Sequence, residues 1–171
     1  MYDLILADPP WQYSFSRSGS RKIENHYPTM TVDEIAALAV PAAPDCALYL
    51  WGTAPKLLEA LRVMDGWGFR YVTNAVWDKE IIGMGYYFRG QHEHLLIGKR
   101  GKPPVPAPGS RVSSVIRSRR SRHSAKPPVV HEILEAMYPD ARRLEMFARD
   151  ARPGWDVWGN EVDSDVEVRC T

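Results

Sequence analysis

Apolar residues in this chain come in short blocks, each closed by residues that cannot continue it. Leu4-Ile5-Leu6-Ala7 is a continuous apolar run fit for a buried strand. Asp8-Pro9-Pro10-Trp11 stops it, because proline has no amide to give a ladder and fixes its own φ. Residues 12–25 are rich in Ser, Arg and Gly without periodicity and read as a loop. Thr31-Val32-Asp33-Glu34 then has the capping-box pattern of a helix start, with Ile35 and Leu38 as the inner face. Cys46 to Trp51 is a second apolar run, suited to a central strand. Thr53 and Pro55 open a helix in which Leu57, Leu58, Leu61 and Met64 form the expected core stripe, ended by Gly66 and Gly68. Tyr71 to Trp77 is β-branched and aromatic and reads as a strand, as does the apolar run after His92-Glu93-His94. Ser124 is placed to cap the next helix, with Pro127 or Pro128 in its first turn and Val130, Ile133, Leu134 and Met137 inward. Arg143 to Phe147 alternates polar and apolar and reads as a further strand. Strand–helix–strand order is what a right-handed crossover in a parallel sheet needs, so the expected class is α/β.

Composition changes this picture little. At 171 residues the chain is long enough to bury a core by itself, and a single domain over residues 1–162 is expected. Residues 163–171 form an acidic tail in which we see no apolar periodicity, and disorder is expected there. No apolar run approaches the roughly 20 residues of a membrane span, and no leader precedes the first strand, so a soluble, cytoplasmic protein is expected. Cys46 and Cys170 are too few for a disulfide framework or a zinc knuckle. His92 and His94 would share one face of a strand, but no third ligand converges on them and no metal is assigned.

Charge changes it more. The net charge of +1 conceals an uneven distribution. Lys99, Arg100, Lys102, Arg111, Arg117, Arg119, Arg120, Arg122 and Lys126 fall in one span that holds no Asp or Glu. Residues 99–126, with the loop 12–25, are therefore the expected contact regions for a polynucleotide backbone, Arg117 to Arg122 above all. A solvated basic face is the competing reading.

Candidate chemistry centres on the first strand's end. In open α/β sheets ligands bind beyond the C-terminal ends of the strands, where Asp8 would lie. Asp8 and the carbonyl of Pro9, held by Pro10, can each accept an N–H from an amine conjugated to a ring. Two fixed acceptors would turn the lone pair out of conjugation and aim it at an electrophile. Trp11 offers a flat surface for the base to stack on. A rigid surface turn is the plain alternative.

Seven blocks carry a resemblance. Asp8-Pro9-Pro10-Trp11, Tyr27-Pro28-Thr29-Met30-Thr31, Leu48-Tyr49-Leu50-Trp51, Glu93-His94-Leu95-Leu96-Ile97-Gly98, Ser124-Ala125-Lys126-Pro127, Leu144-Glu145-Met146-Phe147-Ala148-Arg149 and Trp158-Gly159-Asn160-Glu161 resemble, in that order, the MT-A70 family of adenine-N6 methyltransferases. The resemblance implies a Rossmann-like methyltransferase with a mostly parallel sheet, helices on both faces, and a permuted order: catalytic strand first, cofactor-binding elements last. It implies S-adenosylmethionine as cofactor and adenine in DNA or RNA as acceptor, with Asp8, Pro9, Pro10 and Trp11 catalytic. Asp8, Lys126, Glu145, Arg149, Asn160 and Glu161 would hold the cofactor: Lys126 its carboxylate, Glu145 and Arg149 its ribose, Asn160 and Glu161 its adenosine end. Tyr27 falls near the methyl group or the target base, or simply packs where the loop rejoins the core.

Two departures stand out. The chain starts almost at its first strand, where longer relatives have an upstream segment lining the cofactor's adenine. It also has Ala151 and Arg152 where eukaryotic relatives have a His and an Asn, so weaker cofactor binding is expected. Small size favours a bacterial or phage enzyme acting on DNA rather than RNA, alone, as a homodimer or with a partner subunit. The alternative is an inactive nucleic-acid-binding subunit of a methyltransferase complex. No Gly-x-Gly-x-x-Gly loop is present, so the cofactor assignment rests on resemblance.

Overall fold

A computed structural model describes residues 1–13, 29–119 and 125–170. Its frame is a seven-stranded sheet of β1 (Tyr2–Ala7), β2 (Ala42–Gly52), β3 (Arg70–Asp78), β4 (His92–Arg100), β5 (Val115–Arg117), β6 (Arg143–Met146) and β7 (Asp156–Trp158). The spatial order is β5-β3-β4-β2-β1-β6-β7. β1 pairs in parallel with β2 and β6, β6 with β7, and β3 with β5, whereas β4 runs antiparallel to both β2 and β3. The fold is thus α/β and mostly parallel, with β2 at the centre, β1 next to it, and β6 and β7 following β1 to one edge.

The crossover expected between β2 and β3 is present but skips a place. β2 and β3 point the same way, yet β4 lies between them and enters through residues 79–91. Antiparallel neighbours tolerate such a direct connection, while the parallel step needs the helix.

Strand alternation sends side chains to two cores. Ile5, Leu48, Leu50 and Leu96 face α1 (Val32–Ala36) and α2 (Leu57–Gly66), where Ile35, Ala60, Val63 and Met64 are buried. Leu4, Leu6, Ala47, Tyr49 and Trp51 face α3 (Val129–Met137) through Val130 and Leu134. Each fully buried aliphatic side chain contributes roughly 1.5–3 kcal/mol, so both faces of the sheet are closed by real apolar burial. Thr31 caps α1 as its pattern predicts: its hydroxyl accepts from the Glu34 amide at 3.2 Å, and Glu34 accepts from the Thr31 amide at 2.7 Å. In α2 the stripe is shifted. Leu58 is 78 % exposed, because the buried line runs through Ala60, Val63 and Met64, with Leu57 and Leu61 at its margin. The proposed Ser124 cap lies outside the described residues.

The C-terminal stretch corrects an expectation. Rather than being disordered, residues 163–170 lie against the body of the fold. Asp165 exchanges backbone and side-chain hydrogen bonds with Val157, both at 2.9 Å, the Ala39 amide donates to the Arg169 carbonyl at 2.7 Å, and Cys170 forms an isolated bridge with Leu38. Val166 and Val168 pack on the core while the charged residues between them face water. The reason is a short period-two alternation, Asp165-Val166-Glu167-Val168-Arg169, overshadowed by the acidic composition.

Candidate active site

Because β1, β2, β3, β5, β6 and β7 run one way and β4 the other, the ends of the six and the start of β4 share one edge. The chain leaving β1 at this edge turns to the face that carries α1, and the segment that brings Lys126 into α3 passes to the other face. Connections that diverge in this way leave a crevice between them. A cavity of about 630 Å³ opens there, lined in part by Asp8, Pro9, Pro10, Trp11, Trp51, Glu93, Lys126, Phe147, Arg149, Asn160 and Glu161. A second, of about 380 Å³, shares Asp8, Trp51, Lys126, Phe147 and Arg149 with it and adds His131 and Glu145.

The Asp-Pro-Pro-Trp turn is pinned at three points. The Asp8 amide donates to the Met146 carbonyl at 3.3 Å, the Trp11 amide donates back to the Pro9 carbonyl at 2.9 Å, and the Met30 amide donates to the Pro10 carbonyl at 2.9 Å. The Pro9 oxygen therefore has one lone pair engaged and one left. Trp11 is 5 % exposed and its indole donates to the Trp51 carbonyl at 3.2 Å, so it forms a fixed wall of the cavity.

Lys126 joins this turn from the segment preceding α3. Its ammonium meets both oxygens of Asp8, at 2.7 and 2.6 Å, and lies 3.4 Å from Glu93, which in turn pairs with Lys79 at 3.1 Å. It also sits 5.6 Å above the Trp51 ring. Burial pushes the Asp8 carboxyl above its ordinary value, and Glu93 adds to that while Lys126 opposes it. Burial works the same way on Glu93, but Lys126 and Lys79 outweigh it and hold that carboxyl below its usual range. On Lys126 burial favours the neutral amine; two carboxylates overcome it and raise its pKa.

On the opposite side of β1, β6 ends in a left-handed residue. Phe147 has φ +62°, a conformation costly for an aromatic residue, and it swings its ring beside Trp158, with centroids 5.1 Å apart. The Ala148 amide then donates to the Trp158 carbonyl at 3.0 Å, bringing the chain so close to Gly159 that any Cβ there would strike the Ala148 backbone. This contact sets the position of Asn160 and Glu161 on the cavity wall. Arg149 lies 3.7 Å from Glu161.

The residues singled out from sequence divide by place. Asp8, Pro9, Pro10, Trp11, Lys126, Arg149, Asn160 and Glu161 meet around the larger cavity. Glu145 lines the smaller one, where its carboxylate lies 2.7 Å from His131 Nε2. Arg117 and Arg119 are exposed on the same edge of the sheet without lining either cavity. Tyr27, Arg120 and Arg122 lie outside the described residues. The basic span is split by the fold: Lys99 and Arg100 pair with Ala47 and Cys46 at the far end of the sheet. Arg100 hydrogen-bonds the Trp67 carbonyl and stacks on Phe69, which makes it a structural residue.

Glu93 is a charged cavity residue that the sequence placed in a motif expected to brace the site by hydrogen bonds, without being singled out as a site residue itself. The signal was present, since alternation on β4 puts it on the face opposite His92 and His94, and a carboxylate next to an apolar run needs a partner. The histidine rings lie 5.1 Å apart on their own face, and His94 contacts Asn74.

Comparison with known proteins bears on this geometry. The MT-A70 family profile matches residues 2–161. The type II methyltransferase M.MunI of Mycoplasma is 35 % identical over 98 % of this chain and 81 % of its own length. The human N(6)-adenosine-methyltransferase catalytic subunit METTL3 is 28 % identical over 95 % of this chain, which spans 28 % of it. The human N(6)-adenine-specific methyltransferase METTL4 is 29 % identical over 94 % of this chain and 37 % of its own length.

Proposed function

The chain belongs to the MT-A70 family and is a methyltransferase, and from that premise we propose that it methylates the N6 amine of adenine in a polynucleotide, DNA in preference to RNA, using S-adenosylmethionine. One observation carries the reading: the carboxylate of Asp8 and the carbonyl of Pro9 are both held at one corner of a cavity large enough for a cofactor and a base. Small-molecule sites span roughly 300–1,000 Å³, and about 630 Å³ falls within that range. The preference for DNA rests on the near end-to-end match to a type II methyltransferase; the chain covers only 28 % of METTL3 and 37 % of METTL4.

The residues suit the cofactor. A cationic sulfonium, an amino-acid end and a ribose call for acids, a cation and hydrogen-bond donors, and Asp8, Glu161, Lys126, Arg149 and Asn160 supply them on one wall. In the adjoining cavity His131 Nδ1 is buried without a hydrogen-bond partner beside Glu145, a polar pair able to meet a hydroxyl. When bound, the cofactor would supply an electrophilic methyl group.

The chain's own contribution is orientation. Each Asp8 oxygen that accepts from Lys126 keeps another lone pair, and so does the Pro9 carbonyl after accepting from Trp11. The amine can therefore be gripped from two sides without breaking the resting contacts. Positive charge growing on the amine nitrogen is met by the partly buried Asp8 carboxylate. The base must leave its stack to reach this corner, as it must for any enzyme acting on a ring amine.

The test is transfer of labelled methyl groups to single- and double-stranded DNA and RNA. Label in N6-methyladenine of DNA is expected; label confined to RNA would reverse the polymer preference, and label in none would refute the activity. A pH profile adds a second check. The ionised form of Asp8 is the working one and its pKa is raised, so turnover is expected to fall on the acid side at a pH above the ordinary carboxylate value of 3.8. The same sign makes ionised Asp8 a cost to the fold. Its stabilising contribution is complete below 3.8 and lost as pH rises through the elevated value, whereas Glu93, with a lowered pKa, stabilises above its ordinary 4.5 and ceases to as pH falls through the depressed value. A profile flat down to the usual carboxylate range would contradict this.

A further inference from the structure

The connection between β3 and β4 carries the most exposed apolar group among the described residues. Met84, Tyr86, Tyr87 and Phe88 are 87, 85, 99 and 92 % exposed. Exposure of this density on a soluble domain marks a contact surface. The loop is held in this shape. The Gly83 amide donates to the Gly90 carbonyl at 2.9 Å, the Gly90 amide to the Met84 carbonyl at 3.2 Å, and Arg89 Nε to the Gly83 carbonyl at 3.0 Å. At its base the Lys79 amide donates to the Gln91 carbonyl at 2.9 Å, and Gln91 donates to the Asp78 carboxylate at 2.8 Å. A Cβ at Gly83 or Gly85 would collide with the loop's own backbone, so the tight closure that turns the rings outward depends on those glycines. Three consecutive aromatic rings are thereby presented to solvent on a preorganised support.

Position and charge identify the occupant. Residues 79–91 leave the sheet at the edge that carries Asp8, because Asp78 pairs with His92 and His94 with Gly52. β5 ends on the same edge, its Arg117 paired with Asp78, and Arg117, Arg119 and Arg89 are all exposed. From Ile81 to His92 there is no acid. Exposed rings followed by a cation, on the sheet edge that also carries two exposed arginines and the cavity, match the surface of a single strand, whose bases offer flat faces and whose phosphates offer charge.

We propose that Tyr86, Tyr87 and Phe88 form a stacking platform for unpaired nucleobases of the substrate strand next to the target adenine, with Arg89, Arg117 and Arg119 on its phosphates. The proposal rests on the polynucleotide reading given above and goes beyond it, in that strand recognition is assigned to a loop outside the cavity and unpaired flanking bases become the preferred substrate.

The test uses an adenine-free probe, so that it does not depend on the methylation site. Fluorescently labelled oligothymidine is titrated against the full chain and against the combined variant Tyr86→Ser, Tyr87→Ser, Phe88→Ser, with a G·C duplex and oligouridine as further arms. The variant is expected to bind oligothymidine at least about tenfold more weakly with an unchanged salt slope, while Arg119→Ala lowers that slope by roughly one. Thermal melting and calorimetric binding of S-adenosylmethionine should match the parent, and the duplex should be bound nearly as before. Equal affinity of variant and parent for oligothymidine would overturn the platform. So would a parent dimer in sedimentation that the variant turns monomeric at equal oligothymidine affinity, since the loop would then join two copies of the chain. A parent that methylates no polymer but loses oligothymidine binding with the rings would retain the platform and remove the methylation reading; a parent that methylates DNA with no need of the rings would do the reverse.

Discussion

Replacing Asp8 with asparagine is expected to lower the turnover of methyl transfer by about 10²–10³-fold, the range seen when one preorganised electrostatic contact to a reacting group is removed. Asparagine keeps the shape of the side chain and an acceptor oxygen. What it loses is the negative charge opposite a nitrogen that becomes positive as the methyl group arrives. kcat and kcat/KM for the polynucleotide should fall together, because the lost contact strengthens only as the reaction proceeds. The fold should survive, since Lys126 keeps Glu93 as a partner at 3.4 Å. Single-turnover transfer by the variant at the parental rate, with parental melting, would show that the acid does not act on the amine and that the fixed shape of the corner has another use.

How far the sequence foretold this site follows from what each residue depends on. The Asp8 corner was legible because it is local: four apolar residues, an acid and two prolines determine where a strand stops and what stands at its end. The capping box at Thr31 was legible for the same reason. Glu93 was not, since its partners Lys126 and Lys79 come from other parts of the chain and meet it only when β4 is inserted between β2 and β3. The insertion itself left no mark in the apolar pattern, because a buried strand has the same composition in either direction. The basic span from Lys99 to Lys126 reads as one unit in the sequence, yet a strand's length separates its two ends in space. Arg100 braces the far end of the sheet, while Lys126 reaches the cavity. The tail shows the converse: its valines alternate in plain view, but acidic composition outweighed a pattern only a few residues long. The aromatic loop was invisible as a feature for a different reason. Gly83, Gly85 and Gly90 look like ordinary loop punctuation until the backbone shows that they close a turn whose rings have nowhere to pack.

Lys126→Met is expected to damage the fold and the chemistry together, and a second substitution separates the two. Removing the ammonium leaves the Asp8 and Glu93 carboxylates facing one site, with Lys79 still paired to Glu93 and only the weaker field of Arg149 acting on Asp8. Breaking a buried ion pair on one side costs about 3–5 kcal/mol. Side-chain exposures of 18, 24 and 15 % for Lys126, Asp8 and Glu93 put this site near the lower end, since some water reaches it. At about 2–4 °C per kcal/mol for a chain of this size, the melting temperature should drop by roughly 6–12 °C. The loss should shrink as pH falls, because the pKa of Asp8, already raised, rises further without its cation, and protonation then removes the repulsion. Glu93→Gln in the same chain removes one of the two charges and should restore much of the stability. If Lys126 served only to neutralise the acids, the double variant would also regain turnover. If it orients Asp8 through the two contacts at 2.6 and 2.7 Å, turnover stays low while melting recovers. We expect the second outcome, because a carboxylate free to rotate loses the fixed aim on which the grip of the amine depends. Parental melting in the single variant at every pH would instead mean that the ammonium contributes nothing to holding the two acids together.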